Sequence, residues 1–314
     1  MTKKRLLNIK ALGIMGAGML FLLGACSTDP EQSTEETSST EADASDDTET
    51  TASKDMEVQK AGKVFYMIPS PLELSSIIKN AGATYDNSVL NPSEYVSNYV
   101  TSGSQALNLG VYGADLSYSS IFEQTQETSK YFMAAKELAD ELGITSAFGK
   151  STVDRIQNNL NNRDSLIAII SDSYWEADAY LKENSRSNTS ALVIAGGWIE
   201  ALYISTKLAD ITDSNSEIIS RIGEQKLTLN NLIPMLEKFS GDDVDEVVAS
   251  LKDLQETFMG VEITYERKES TTNSETQLTT IQTTSKINID EEQLAAISDK
   301  VESIRTNIVM PSGN

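Results

Sequence analysis

Leu227-Thr228-Leu229-Asn230-Asn231-Leu232-Ile233-Pro234-Met235-Leu236-Glu237-Lys238-Phe239 is the stretch that decides the fold class. Its apolar residues at 227, 229, 232, 233, 236 and 239 return every three or four positions, which places them along one face of a helix. A strand with one face in the core would alternate instead. Pro234 interrupts the pattern and predicts a kink, because proline has no amide for the helix ladder. The same helix reaches back to Ile218. Upstream, the helical period recurs over Tyr131 to Leu142, closed by Gly143, and over Arg155 to Leu160, Ser165 to Leu181 and the strongly apolar stretch Ala191 to Ile211. Downstream it recurs from Val244 to Met259. Tyr95, Tyr99, Leu107, Val111 and Leu116 mark a further helix carrying glycines. Long helices joined by short polar connections predict a mainly α fold, an antiparallel helical bundle.

Two segments read as helix starts. Ser70-Pro71-Leu72-Glu73 supplies a capping hydroxyl, a proline at the first helical position and a glutamate three residues after the cap. Asn91-Pro92-Ser93-Glu94 repeats that grammar. Toward the C-terminus the period changes. Val261 to Glu266 and Ile281 to Ile289 alternate apolar with polar residues across a polar spacer, Lys268 to Glu275, which predicts a small β-hairpin near 261–289. Asp290 then opens a last helix. Leu294, Ile297, Val301, Ile304 and Ile308 form its apolar stripe, which should dock on the bundle.

The N-terminus has a different character. Lys3, Lys4 and Arg5 precede an apolar run from Ala11 to Leu23, which is too short to span a bilayer comfortably. The run ends in Leu23-Gly24-Ala25-Cys26, and Cys26 is the chain's single cysteine. This resembles the signal peptide and lipobox of bacterial lipoproteins. The resemblance implies that residues 1–25 are removed and that Cys26 carries lipid. Two or more acyl chains on one residue give stable membrane anchoring. Ser27 follows the cysteine where an aspartate would favour inner-membrane retention, so the resemblance further implies an outer-membrane lipoprotein of the cell envelope. Residues 26–57 are mainly Ser, Thr, Asp and Glu, too poor in apolar surface to fold, and read as a disordered acidic tether. Residues 58–314 remain as a single helical domain, with order expected from about Lys63.

Composition narrows the chemistry. The formal charge is -22, and the chain has no histidine. Such acidity excludes nucleic-acid binding through phosphates, and the lipid on Cys26 is the expected hold on the membrane. Without histidine there is no Ser-His-Asp or Cys-His catalysis and no imidazole metal site. With the one thiol lipidated, thiolate chemistry and disulfides are excluded too. No cofactor is expected.

Several clusters could carry function. Asp213 to Glu217 with Glu224 imitates a calcium-loop spacing, but Ile218 stands where the sharp turn needs glycine. Ser214 and Glu217 there read as a capping box. Asp242, Asp243, Asp245 and Glu246 crowd a helix start, where acids complement the helix dipole. Gly110, Tyr112, Gly113, Asp115 and Tyr118, and separately Gly196-Gly197-Trp198-Ile199-Glu200 with Tyr203, combine helix glycines with acids in apolar surroundings. Glycines inside helices permit close approach of another helix or a bend. Buried acids need partners, and Tyr hydroxyls, Lys207 or Arg155 are the candidates.

Gly197-Trp198-Ile199-Glu200 faintly resembles the imelysin-like proteins, helical bundles tied to iron or peptidase roles. Their signature has a histidine between Gly and Glu, which this chain lacks, so no metal role is carried over. Ile68-Pro69-Ser70-Pro71 together with Gly196-Gly197-Trp198 resembles an uncharacterised helical lipoprotein family of Bacteroidota. The leading expectation is a non-enzymatic domain that binds or scaffolds an envelope protein partner. The alternative is a small-ligand pocket between helices, built from Tyr112, Asp115, Tyr118, Trp175, Trp198, Glu200 and Tyr203. A remoter one is a hydrolase using Asp115 and Glu200 as paired carboxylates, the one acid–base chemistry left by this composition.

Overall fold

Ser70 begins the first helix as its sequence predicts. Its hydroxyl accepts the Glu73 N–H at 3.2 Å, and Pro71 sits at the first helical position of α1, Pro71–Asn80. The computed structural model describes residues 68–145, 147–209, 216–267, 271–272, 279–280 and 283–310. The expected signal segment 1–25, Cys26, the acidic segment, Lys63 and the Asp213 to Asn215 part of the calcium-like loop lie outside the described residues. After α1 come α2 (Ser102–Ile121), α3 (Thr125–Glu141), α4 (Lys150–Asn159), α5 (Arg163–Glu183), α6 (Ser187–Leu208), α7 (Ser216–Leu236), α8 (Asp242–Thr257) and α9 (Glu291–Val309). The protein is mainly α, a helical bundle with a small hairpin.

Asn91-Pro92-Ser93-Glu94 does not open an α-helix. Ser93–Asn98 is 3-10, and Pro92, at its cap, offers no side-chain bond. Asn91 is drawn inward instead, where its side chain donates to the Tyr99 hydroxyl at 3.0 Å. Helix α2 starts only at Ser102, where Thr101 and Ser104 exchange hydrogen bonds as a capping box. Its glycines do not break it. Pro234 lies inside α7, near its C-terminal end.

Helices joined by short connections pack antiparallel, as the contacts between them record. Tyr112 meets Tyr131, and Ser120 and Thr128 line one recess, across the α2–α3 turn. Asp178 on α5 receives a hydrogen bond from Ser190 on α6. Lys300 on α9 pairs with Asp253 on α8. At the centre the direction changes. Leu107 lies against Gly196, Gly110 against Gly197, and Ala114 shares a cluster with Ala201 and Leu74. Positions rise together, so α1, α2 and α6 run parallel. Helix α6 is apolar all round because it is central. It is long and apolar enough to cross a membrane by length and composition, yet 83% of its most apolar window is buried inside the protein.

Strands β1 (Glu262–Arg267) and β4 (Thr283–Asn288) pair antiparallel, with Ile263 opposite Ile287. The short strands β2 (Thr271–Thr272) and β3 (Thr279–Thr280) pair beyond them. Ile263, Ile287 and Ile289 pack on the core. Gly223 on α7 makes the room, since a Cβ there would lie 2.4 Å from Ile287 Cγ2. Asp290 and Gln293 then form the capping box that starts α9.

Candidate functional site

Where α2, α6 and α9 meet, three ionisable side chains share the interior. Glu200 on α6 and Asp115 on α2 are both 0% exposed. Arg305 on α9 reaches Glu200 through Nε at 2.8 Å and Nη2 at 2.9 Å, a two-pronged pair. Its Nη2 also approaches the Val89 carbonyl at 3.4 Å, and its guanidinium lies 4.4 Å from the centre of the Tyr203 ring. Removing charges from water costs several kcal/mol each unless they are paired and hydrogen-bonded. The bidentate geometry and the aromatic face supply that compensation.

Asp115 accepts the Asn91 N–H at 3.3 Å. Burial, and then the negative charge of Glu200, hold its carboxyl well above the usual carboxylate range, with Arg305 opposing them. The protonated form is thereby favoured, which leaves one negative and one positive charge in the cluster. Burial works against the Arg305 charge, and Glu200 more than restores it, so its pKa is raised.

Around this cluster the tyrosines are structural. The Tyr112 hydroxyl donates to the Pro92 carbonyl at 2.9 Å, and its ring sits between those of Tyr99 and Tyr131. Tyr118 accepts the Asp86 N–H at 2.9 Å and stacks on Tyr85. Tyr99 donates to the Val309 carbonyl, and Asn108 donates to that of Ile308, so the interior grips the end of α9 twice more.

Three expectations change here. The partner of Glu200 is Arg305, whereas Lys207 pairs with Glu302 and Arg155 with Asp172 at the surface. The space between the Tyr112–Tyr118 and Trp198–Tyr203 stretches is filled, because α2 and α6 meet backbone to backbone at their glycines. A Cβ on Gly196 would lie 2.0 Å from the Leu107 oxygen, and one on Gly110 would lie 2.1 Å from that of Val193. Paired-carboxylate hydrolysis needs carboxyls that reach a substrate in an open cleft, and Asp115 and Glu200 have no exposed surface.

Trp175 and Trp198 belong elsewhere. They line a cleft of about 310 Å³ between the start of α1 and helices α5 and α6, floored by Gly110 and Ser117 of α2, with Pro71, Ile170, Tyr174 and Ile194. Trp198 is 1% exposed and donates its indole N–H to Gln225 at 2.9 Å, so it forms a fixed wall. Trp175 is 48% exposed at the mouth. The chain has two tryptophans, and both face this cleft.

Arg305 and Tyr174 were not singled out by sequence, and Asn91 was read only as a helix cap. Arg305 had a signal: it follows Ile304 on the stripe of Val301, Ile304 and Ile308, where a cation must meet an acid. Of the acids at the start of α8, Asp243 serves a neighbour: its carboxyl lies against Gly103 in the first turn of α2, the positive end of that helix. Among the described residues no group of three or more His, Cys, Asp or Glu side chains is placed to hold a metal ion. No family model, curated protein or solved structure matches the chain.

Proposed function

We propose that this chain is a lipid-anchored protein of the cell envelope whose helical domain binds a component there and performs no chemistry on it. The observation that carries the binding role is the cleft with Trp198 as its rigid wall and half-exposed Trp175 at its mouth. Large aromatic side chains with one face in the protein and one open are the usual anchors of recognition surfaces. The anchor rests on Cys26 and the signal before it, and the acidic segment 26–57 sets the domain off from the membrane. Acidity weighs against nucleic acid as the bound component.

A photo-crosslinking residue placed at 175 in the full, Cys26-bearing protein tests the binding role in intact cells. The expected result is a discrete adduct, absent when the same residue replaces Val100, which is 79% exposed and outside the cleft. Equal labelling at both positions, or none at 175, overturns it. Cys26→Ser tests the anchor separately: it should abolish fatty-acid labelling and release the protein from membranes. A second reading, a small apolar ligand held in the same cleft, is favoured by its predominantly apolar lining; a blue shift of tryptophan emission on adding fatty acid would support it.

A further inference from the structure

A second, polar concavity lies where the turn after α2 meets the N-terminus of α5. It encloses about 170 Å³, and Ser120, Glu123, Thr125, Thr128, Arg163 and Leu166 are among the residues lining it. Three polar atoms at this recess are buried and have no hydrogen-bond partner: Ser120 Oγ, Thr128 Oγ1 and Arg163 Nε. Ser120 and Thr128 are each 1% exposed. Buried polar atoms nearly always find partners, so three orphans on one recess call for a common one. Backbone bonding does not use these hydroxyls, although other helix hydroxyls in this protein, such as those of Ser117 and Ser119, do bond back to their own helix.

The charges define the missing partner. Arg163 forms no ion pair within 4 Å among the described residues, in a chain where acids far outnumber bases. It stands at the first position of α5, whose cap, Asn162, engages only the Ser165 N–H. The positive end of the helix therefore adds to the guanidinium. Glu123 at the rim is matched first by Lys79 at 2.8 Å, and the Arg163 charge acts on it more weakly, beyond ion-pair distance. Asp164 in the same turn is exposed, where solvent and salt screen it. A metal cation would meet the Arg163 charge and a carboxylate already held by Lys79, and a neutral polyol would leave the guanidinium without an ion pair.

We propose that this recess binds a small oxyanion, a carboxylate or phosphate group, with Arg163 as the charged anchor and Ser120 and Thr128 as hydroxyl donors. Planar guanidinium forks match both groups, and hydroxyls complete the ring of donors. The site is separate from the tryptophan cleft and stands whether or not that cleft binds anything.

Calorimetric titration of the full mature chain with acetate and with inorganic phosphate, at matched ionic strength in sodium chloride, tests it. The expected result is saturable one-to-one binding of at least one anion; binding of phosphate alone or acetate alone identifies the group. Arg163→Gln should weaken that binding roughly tenfold or more, and Thr128→Val or Ser120→Ala several-fold, with helical content unchanged. No saturation by either anion at millimolar concentrations overturns the proposal. So does affinity unchanged in Arg163→Gln, which would mark an adventitious ion only. Affinity unchanged in both hydroxyl variants would mark the recess as merely hydrated and overturn it as well.

Discussion

Removing one member of the Glu200–Arg305 pair should be far worse than removing both. Arg305→Met leaves Glu200 wholly buried with no cation, a loss of about 3–5 kcal/mol by the usual cost of an uncompensated interior charge. Glu200→Leu together with Arg305→Met replaces the pair by apolar groups of similar volume and should recover most of that loss. Urea unfolding of the single and double variants measures it, and an additive double variant would show that the pair is not the tie described here. Asp115 makes a different prediction. Its folded-state pKa is raised, so above about pH 4 the unfolded chain gives up a proton that the native chain keeps. The contribution of this carboxyl to stability is therefore present below that pH and is lost as pH rises through the folded value. Asp115→Asn has no such titration and keeps an acceptor for the Asn91 N–H. Its stability relative to the parent should climb with pH by up to about 1.4 kcal/mol per unit across that window. A difference independent of pH would show that Asp115 is ionised in the native protein. At this scale the sequence was half legible: two acids in apolar helices announced themselves, but Arg305 lies 105 residues beyond Glu200, and no local rule joins them.

Glycine spacing sets how the central helices touch, and it yields a graded series. Gly196→Ala and Gly110→Ala each drive a methyl into backbone oxygen, at 2.0 and 2.1 Å. Backbone cannot rotate away, so α2 and α6 must separate, at a cost of about 3 kcal/mol or more, the upper end for overpacking. Gly197→Ala meets the Gly110 oxygen at 3.3 Å, a contact a few tenths of an ångström of adjustment can absorb. Alanine also gains up to about 1 kcal/mol of helix propensity over glycine. This variant should stay within about 1 kcal/mol of the parent, and thermal melting of the three orders them. Equal melting temperatures would mean that the helices are not in backbone contact. The glycines were legible as a choice between close approach and a bend, and the structure takes the first. Element ends were legible where capping chemistry was complete, as at Ser70 and Asp290. Asn91 misled because its side chain had a stronger use, at the Tyr99 hydroxyl, than capping a helix. The tryptophan cleft was not legible as a place, since its walls come from the start of α1 and from α2, α5 and α6, which only packing brings together.

At the scale of the whole molecule, antiparallel neighbours follow from short connections, but the parallel run of α1, α2 and α6 does not. Three helices intervene between α2 and α6, and residue spacing carries no record of their direction. What closes that arrangement is α9. It enters last in the chain, yet it supplies Arg305 to Glu200, the Val309 carbonyl to Tyr99 and the Ile308 carbonyl to Asn108. Ending the chain at Ile289 should therefore do more than remove one helix. It leaves a buried carboxylate without its cation, takes one interior hydrogen bond each from Tyr99 and Asn108, and uncovers the surface that Ile297, Val301 and Ile304 close, so cooperative unfolding should disappear from the melting curve. The outer hairpin contrasts with it. Arg267 faces Thr283 in the β1–β4 register, so an Asn-Gly turn in place of 268–282 can join the strands directly. Ile263, Ile287 and Ile289 keep their places on the core, and the connection to α9 is retained. That variant should melt cooperatively within a few degrees of the parent, because among the described residues the bonds to α9 and to the interior acids come from other elements. A hairpin deletion as damaging as loss of α9 would mean that the sheet, and not the C-terminal helix, holds the bundle shut.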